Sequence, residues 1–163
     1  MKKLPFISFV MCLFMCGCVA NVLSDIQHAP KTPEENSWLE SVLKEPLEFT
    51  MDAKDEEVAW SRAQNWISQY SGYKLKIVTN SIIETEGGSE GFKVTKLKNP
   101  DGTIQISVNN PLQGVTIGDM LFGTKDITVN LSILAHFIRT GDLPYPYLIR
   151  TIKAPSRSGT LKK

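Results

Sequence analysis

The stretch Asn99-Pro100-Asp101-Gly102-Thr103-Ile104-Gln105-Ile106-Ser107-Val108 decides the fold class. Proline fixes φ early in the reversal and glycine tolerates a positive φ, so residues 99–102 form a tight turn. Beyond the turn, Ile104, Ile106 and Val108 alternate with Gln105 and Ser107, as in a strand with one buried and one wet face. Phe92 and Val94 begin the strand that leads in. A sheet wetted on one side has an apolar face that other elements must cover.

The covering elements stand on both sides of this hairpin. Thr32-Pro33-Glu34-Glu35 carries a helix start: threonine as cap, proline at the first helical position, and Glu35 to close a capping box. Trp38, Leu39, Val42 and Leu43 then fall on one face until Pro46 ends the run. Leu47 to Met51 reads as a short first strand. Asp52 opens a second helix, with Asp55, Glu56 and Glu57 complementing the helix dipole in its first turn. Ala59, Trp60, Ala63, Trp66, Ile67 and Tyr70 make its stripe, and Gly72 stops it.

Three strands are expected next: Tyr73 to Thr85, ending at the turn Glu86-Gly87-Gly88-Ser89, and then the two arms of the hairpin. In the first of these, Leu75, Ile77 and Ile83 alternate, while Val78 and Ile82 point the other way. Asn109 to Gly123, with Pro111, Gly114, Gly118 and Gly123, reads as a loop with one helical turn near Met120. The following segment obeys two grammars. Ile127, Val129, Leu131 and Ile133 alternate like a strand, whereas Ile127, Leu131, Leu134, Ala135 and Ile138 fit a helix capped by Asp126 and stopped by Gly141. The helix, about 126–140, is the reading adopted. The expected class is therefore α+β: a small antiparallel sheet of about four strands, covered on one face by two or three helices. This arrangement is similar to helix-grip domains of some envelope lipoproteins, a likeness of fold that implies no activity.

The first eighteen residues carry a different message. Lys2 and Lys3 precede an apolar core from Leu4 to Met15, and the sequence continues Phe14-Met15-Cys16-Gly17-Cys18. That core is shorter than the roughly 20 residues a bilayer span needs. The order of charge, apolar run, small residue and cysteine resembles the lipobox of bacterial lipoproteins, with Met15 and Cys16 where leucine and alanine or serine are commoner. Cys12 fits worse, because bulky Met11 precedes it. The resemblance implies cleavage before Cys18, acylation (palmitate among the chains) of that cysteine, and anchoring in the cell envelope. Val19 in place of an aspartate implies the outer membrane, facing the periplasm, if the source is Gram-negative. Trp60-Ser61-Arg62-Ala63-Gln64 and Leu134-Ala135-His136-Phe137-Ile138-Arg139-Thr140-Gly141 resemble phrases of uncharacterised bacterial lipoproteins, again with no activity attached.

The organisation expected is a signal peptide at 1–17, a tether at 18–31, one α+β domain at 32–149 and a basic flexible tail at 150–163. Removing 17 of 163 residues leaves 146, enough for one ordinary core. The 18 basic residues fall to 16 against 17 acids, a balance that argues against a nucleic-acid binder. Cys12 and Cys16 leave with the signal and Cys18 takes lipid, so no thiol of the three remains for a disulfide, a metal or nucleophilic catalysis.

Candidate chemistry is sparse. His28 falls in the tether and His136 in the last helix, too far apart in sequence to suggest a zinc site. No metal, cofactor or catalytic residue is assigned. Ser41-Val42-Leu43-Lys44 matches the Ser-x-x-Lys nucleophile motif of penicillin-binding proteins, but Lys-Thr-Gly and Ser-x-Asn companions are missing. Asp52, Asp55, Glu56 and Glu57 are explained by their helix start. Pro144-Tyr145-Pro146-Tyr147 offers rigid aromatic surface, so Tyr145 and Tyr147 are the candidate partner contacts. The expected function is a non-enzymatic, membrane-anchored envelope lipoprotein that binds an envelope protein partner or supports an assembly. The alternatives are a cell-wall or lipid hydrolase and a carrier of a small apolar ligand.

Overall fold

The structure, a computed structural model, describes residues 28–111 and 124–150. Cys18 and the expected signal peptide, most of the expected tether, residues 112–123 of the expected loop and the expected tail from 151 onward lie outside the described residues. The element order is α1 (Pro33–Leu43), β1 (Glu48–Met51), a 3₁₀ turn (Ala53–Asp55), α2 (Glu56–Tyr70), β2 (Leu75–Val78), β3 (Ile82–Thr85), β4 (Lys93–Lys98), β5 (Ile104–Asn109) and α3 (Thr124–Thr140). Short 3₁₀ turns also occur at Gly88–Glu90 and Pro146–Leu148. Among the described residues no helix is long and apolar enough to cross a membrane.

The strands form one antiparallel sheet in the order β1-β5-β4-β3-β2. β2 to β5 is a meander, and β1 closes the far edge against β5. The chain returns from β1 to the opposite edge through α2. The α+β class with helices over one sheet face is thus what the structure has, with five strands where about four were expected.

The extra strand comes from the segment 73–85, which is a hairpin and not one strand. Thr79 makes the reversal without glycine or proline. Its hydroxyl accepts from the amides of Ser81 and Ile82, and its own amide donates to the Ile82 carbonyl. Val78 and Ile82 broke the alternation because the chain turns between them. The hairpin of residues 93–109 has the expected form. Lys98 faces Ile104, Gly102 sits at φ +87°, and Asp101 accepts from both the amide and the hydroxyl of Thr103. Those two donors hold the Asp101 carboxyl below its usual range.

Directly opposed residues of neighbouring strands share a face. One face carries Ile83, Val94, Ile104, Ile106 and Val108, all buried, and beside them Phe49 and Met51 of β1. The other carries Thr50, Thr95, Gln105, Ser107 and Lys93, with Leu97 largely exposed. α3 lies against β5 and is flanked by α1 and α2. That central place settles its grammar: Asn130, Leu131, Ser132, Ile133, Leu134 and Ala135 are buried in succession, as in a helix covered nearly all round. Asn130 and Ser132, polar on a strand reading, are buried too.

α1 begins with the expected capping box, Thr32 and Glu35 bonding reciprocally to each other's amides. Leu43, placed on its apolar face by periodicity, is 42% exposed and outside the core. The second helix starts later than expected. Asp52 opens the 3₁₀ turn and pairs with exposed Lys54, and neither it nor Asp55 caps through its side chain. The stripe of α2 is as read: Ala59, Trp60, Ala63, Trp66 and Ile67 are buried, with Tyr70 packed at the margin.

Two charged groups are built into the sheet. Lys96 points to the apolar face, where its ammonium bonds Glu56 in the first turn of α2 and lies 4.7 Å from the Trp60 ring centroid. On the other face Glu84 is covered except for about a tenth of its side chain and sits 2.7 Å from Lys76 and 3.7 Å from Lys93. The Lys76 hydrogen bond, with Lys93 assisting, holds its carboxyl below the usual range. A depressed folded pKa stabilises above the ordinary carboxylate range and is lost as pH falls through the folded value. The stability advantage of the parent over Glu84→Gln, read from urea midpoints, should therefore be full at neutral pH and shrink as the solution is acidified. A pH-independent difference would show that Glu84 acts through packing alone.

Candidate functional site

The densest group of polar and aromatic side chains forms where the end of α1, the link to β1 and the last turns of α3 meet. Glu45 follows α1 just before Pro46, so it projects from the link and not from the helix. His136 and Arg139 lie three residues apart on α3 and therefore on one face. Both oxygens of Glu45 are 3.0 Å from His136 Nδ1, and Oε2 also accepts from Arg139 Nη1 at 2.9 Å. Arg139 Nη2 donates to the Pro46 carbonyl at 2.9 Å, and its guanidinium carbon stacks 4.4 Å from the Phe49 ring centroid. One carboxylate, shared by an imidazole and a guanidinium, thus clamps the α1–β1 link to α3.

Aromatic rings extend the clamp. Trp38 meets His136 edge-on at 5.6 Å and Tyr145 at 5.5 Å, and Tyr145 meets Tyr147 at 6.5 Å. Such edge-to-face pairs fix relative orientation as well as burying area. Tyr147 is engaged on three sides. Its carbonyl is 2.8 Å from His28 Nδ1, its ring lies 4.9 Å from the Lys31 ammonium, and its phenol is buried near Glu35 without a hydrogen bond of good geometry among the described residues. Burial and that carboxylate push the phenol up to about 12, while Tyr147 and the Lys31 and Thr32 amides hold Glu35 below its usual range.

Both tyrosines named from the sequence are therefore half-buried, folded back on α1 and the core. The structure brings Tyr145, Tyr147 and His136 together through Trp38. It does not bring Ser41 into the group as a relay: the Ser41 hydroxyl is exposed and donates to the Trp38 carbonyl of its own helix at 2.6 Å. The acids at the start of α2 are dispersed, Asp52 onto Lys54 and Glu56 onto Lys96. Cys18 lies outside the described residues. His28 and Lys31, read as tether, lie against the domain through Tyr147.

Sequence reading missed Glu45, Arg139 and Trp38 as members of this corner. The signal available was a histidine and an arginine at helical spacing, His136 and Arg139, but their common partner is more than ninety residues away. Trp38 Nε1, His136 Nε2 and Arg139 Nε are buried and have no hydrogen-bond partner among the described residues. Buried polar atoms left unpaired make any contact that supplies partners more favourable. Carboxylate bonding at Nδ1 orients the imidazole, yet no nucleophile is bonded to Nε2 among the described residues. Nor does any group of three or more His, Cys, Asp or Glu among those residues have the arrangement to hold a metal ion.

Comparison of the chain with protein-family models, with curated proteins and with solved structures finds no match, so the corner is read from its own chemistry.

Proposed function

We propose that this chain is an envelope lipoprotein, acylated at Cys18, whose α+β domain binds a protein partner and is not an enzyme. The reading is carried by the place of the aromatic corner. Trp38, Tyr145 and Tyr147 stand half-buried and mutually fixed where residues 28–31 join the domain. Nine residues lie between Cys18 and His28, and the ten steps from one to the other reach at most about 36 Å. A lipid anchor at Cys18 keeps the corner within that distance of a bilayer, so the partner is one held at the membrane. Rings already ordered by packing lose little entropy when a partner covers their exposed edges. Tyr145 and Tyr147 supply the contact.

The test is made in cells. Labelled palmitate should enter the parent chain, and Cys18→Ala should lose the label and move to the soluble fraction. A photo-crosslinking residue in place of Tyr145 in the parent should give one discrete protein adduct. Palmitate uptake and membrane fractionation that persist in Cys18→Ala sink the anchor, and absence of any adduct at Tyr145 sinks the partner contact.

A further inference from the structure

Tyr147 is held firmly from one side and lightly from the other. It stands in the 3₁₀ turn Pro146–Leu148, next to buried Leu148 and Ile149. Three residues on, fully buried Asn130 of α3 bonds both the amide and the carbonyl of Arg150 at 2.8 Å. The light hold comes from the segment His28-Ala29-Pro30-Lys31. A carbonyl only accepts, so His28 Nδ1 donates to the Tyr147 carbonyl at 2.8 Å. Three residues later, exposed Lys31 places its ammonium 4.9 Å from the Tyr147 ring centroid.

The two ends of this segment are fastened differently. The Lys31 amide donates to the Glu35 carboxylate at 2.5 Å, beside the capping box, so the main chain at Lys31 belongs to the start of α1 and only its side chain swings. His28 is fastened to the domain by the one bond to Tyr147 among the described residues. One hydrogen bond and one exposed cation–π contact are similar in size to the cost of ordering His28 and Ala29. A competitor that supplies the same two contacts therefore displaces the segment with little differential affinity. Those contacts also state what fits: a cation over the ring and an N–H for the carbonyl. The surroundings favour a cation as well. α1 carries Glu34, Glu35 and Glu40 and no basic residue, and Glu35 lies beside Tyr147. Residues 18–150 as a whole hold 12 basic residues against 17 acids.

We propose that the ring face of Tyr147 is a binding site for a lysine or arginine side chain of the protein partner, kept filled by Lys31 until the partner displaces residues 28–31. The proposal rests on the partner-contact reading and adds the chemistry of the partner. That partner presents a basic segment whose cation takes the place of Lys31 and whose N–H takes that of His28 on the Tyr147 carbonyl. Lys31 thereby sets a threshold. A surface without a cation leaves the ring covered, whereas a basic one gains the ring face together with neighbouring Tyr145.

The test titrates the purified full chain into a dye-labelled, acetylated tetralysine amide and follows anisotropy, with the tetraglutamine counterpart as reference. The parent should bind tetralysine and not tetraglutamine. Lys31→Gln should tighten tetralysine binding by roughly two- to fivefold, the size of an exposed cation–π contact. Lys44→Gln removes the same charge at the other end of α1 and should leave binding nearly unchanged. Tyr147→Phe keeps the ring and should behave as the parent, whereas in Tyr147→Leu the gain from Lys31→Gln should vanish. If circular dichroism shows that the leucine variant does not fold, the comparison of Lys31→Gln with Lys44→Gln decides. No tetralysine binding to either the parent or Lys31→Gln overturns the proposal, as do equal gains from the two lysine substitutions or a gain that survives Tyr147→Leu. Binding that appears only once residues 151–163 are removed would make the chain's own basic end the occupant, and overturns it too. The titration needs neither lipid nor partner, so its failure is read apart from loss of the Tyr145 adduct in cells.

Discussion

Trp66→Ala is expected to destabilise the domain by about 3–5 kcal/mol, the range for removing a large aromatic side chain from a close-packed core. Trp66 is fully buried on α2, 5.3 Å from the ring of Phe92, itself fully buried, and 5.6 Å from Tyr70. Phe92 enters the sheet just before β4, so the Trp66–Phe92 contact fastens the crossover helix to the centre of the meander. A domain of this size is stable by about 5–15 kcal/mol in all, and the loss is a large part of that. Trp66→Phe should cost less, about 1–2 kcal/mol, because it keeps an aromatic ring and removes an indole N–H that has no partner among the described residues. Urea unfolding followed by circular dichroism measures both variants. A loss under about 1 kcal/mol for the alanine variant would mean that the α2 stripe is not the organising surface of the core.

That stripe was legible because a single helix against a single apolar face leaves one periodicity in the sequence. The capping box at Thr32 and Glu35 and the turn at Asn99–Gly102 were legible for the same reason: their chemistry is local. Three features escaped. The reversal at Thr79–Ser81 uses a threonine hydroxyl where glycine or proline would have announced it, so two strands read as one. Lys96 faces the apolar side of the sheet, and its charge concealed a position that Glu56 and Trp60 make habitable. The corner around Glu45 is built from contacts between residues far apart in sequence, which no local pattern records. The α3 segment lay between these cases. Its alternation was genuine, but burial on nearly every side lets a helix carry apolar residues at strand spacing as well as its own.

Two phrases singled out in the sequence, around Arg62 and around Gly141, meet in the fold. Arg62 Nη1 donates to the carbonyls of Ile138 at 3.2 Å and Arg139 at 3.4 Å, placing a cation on the C-terminal end of α3. Gly141 ends that helix at φ +78°, and a Cβ there would lie 2.6 Å from Arg62 Nη2. Gly141→Ala should therefore destabilise through two effects. The left-handed backbone conformation costs a non-glycine residue about 1–2 kcal/mol. The methyl group also displaces the guanidinium, and the charge-assisted bonds it forfeits are worth about 1.5–3 kcal/mol at full strength, less at these lengths. A total of about 2–4 kcal/mol is expected. The guanidinium is the far end of a flexible side chain, so it moves aside and the helix end stays in place.

A double-mutant cycle separates the two effects. Arg62→Ala removes the bonds without touching the glycine and should cost about 1–2 kcal/mol. In the double variant the displaced guanidinium is already gone, so only the backbone strain is added. The combined loss should fall short of the sum of the single losses by roughly 1 kcal/mol. Strict additivity would show that φ alone sets the requirement for glycine and that Arg62 contributes independently. The same helix end carries His136 and Arg139, which hold Glu45. Because the helix end stays in place, photo-crosslinking through Tyr145 should be unchanged in both single variants at temperatures where the domain is still folded.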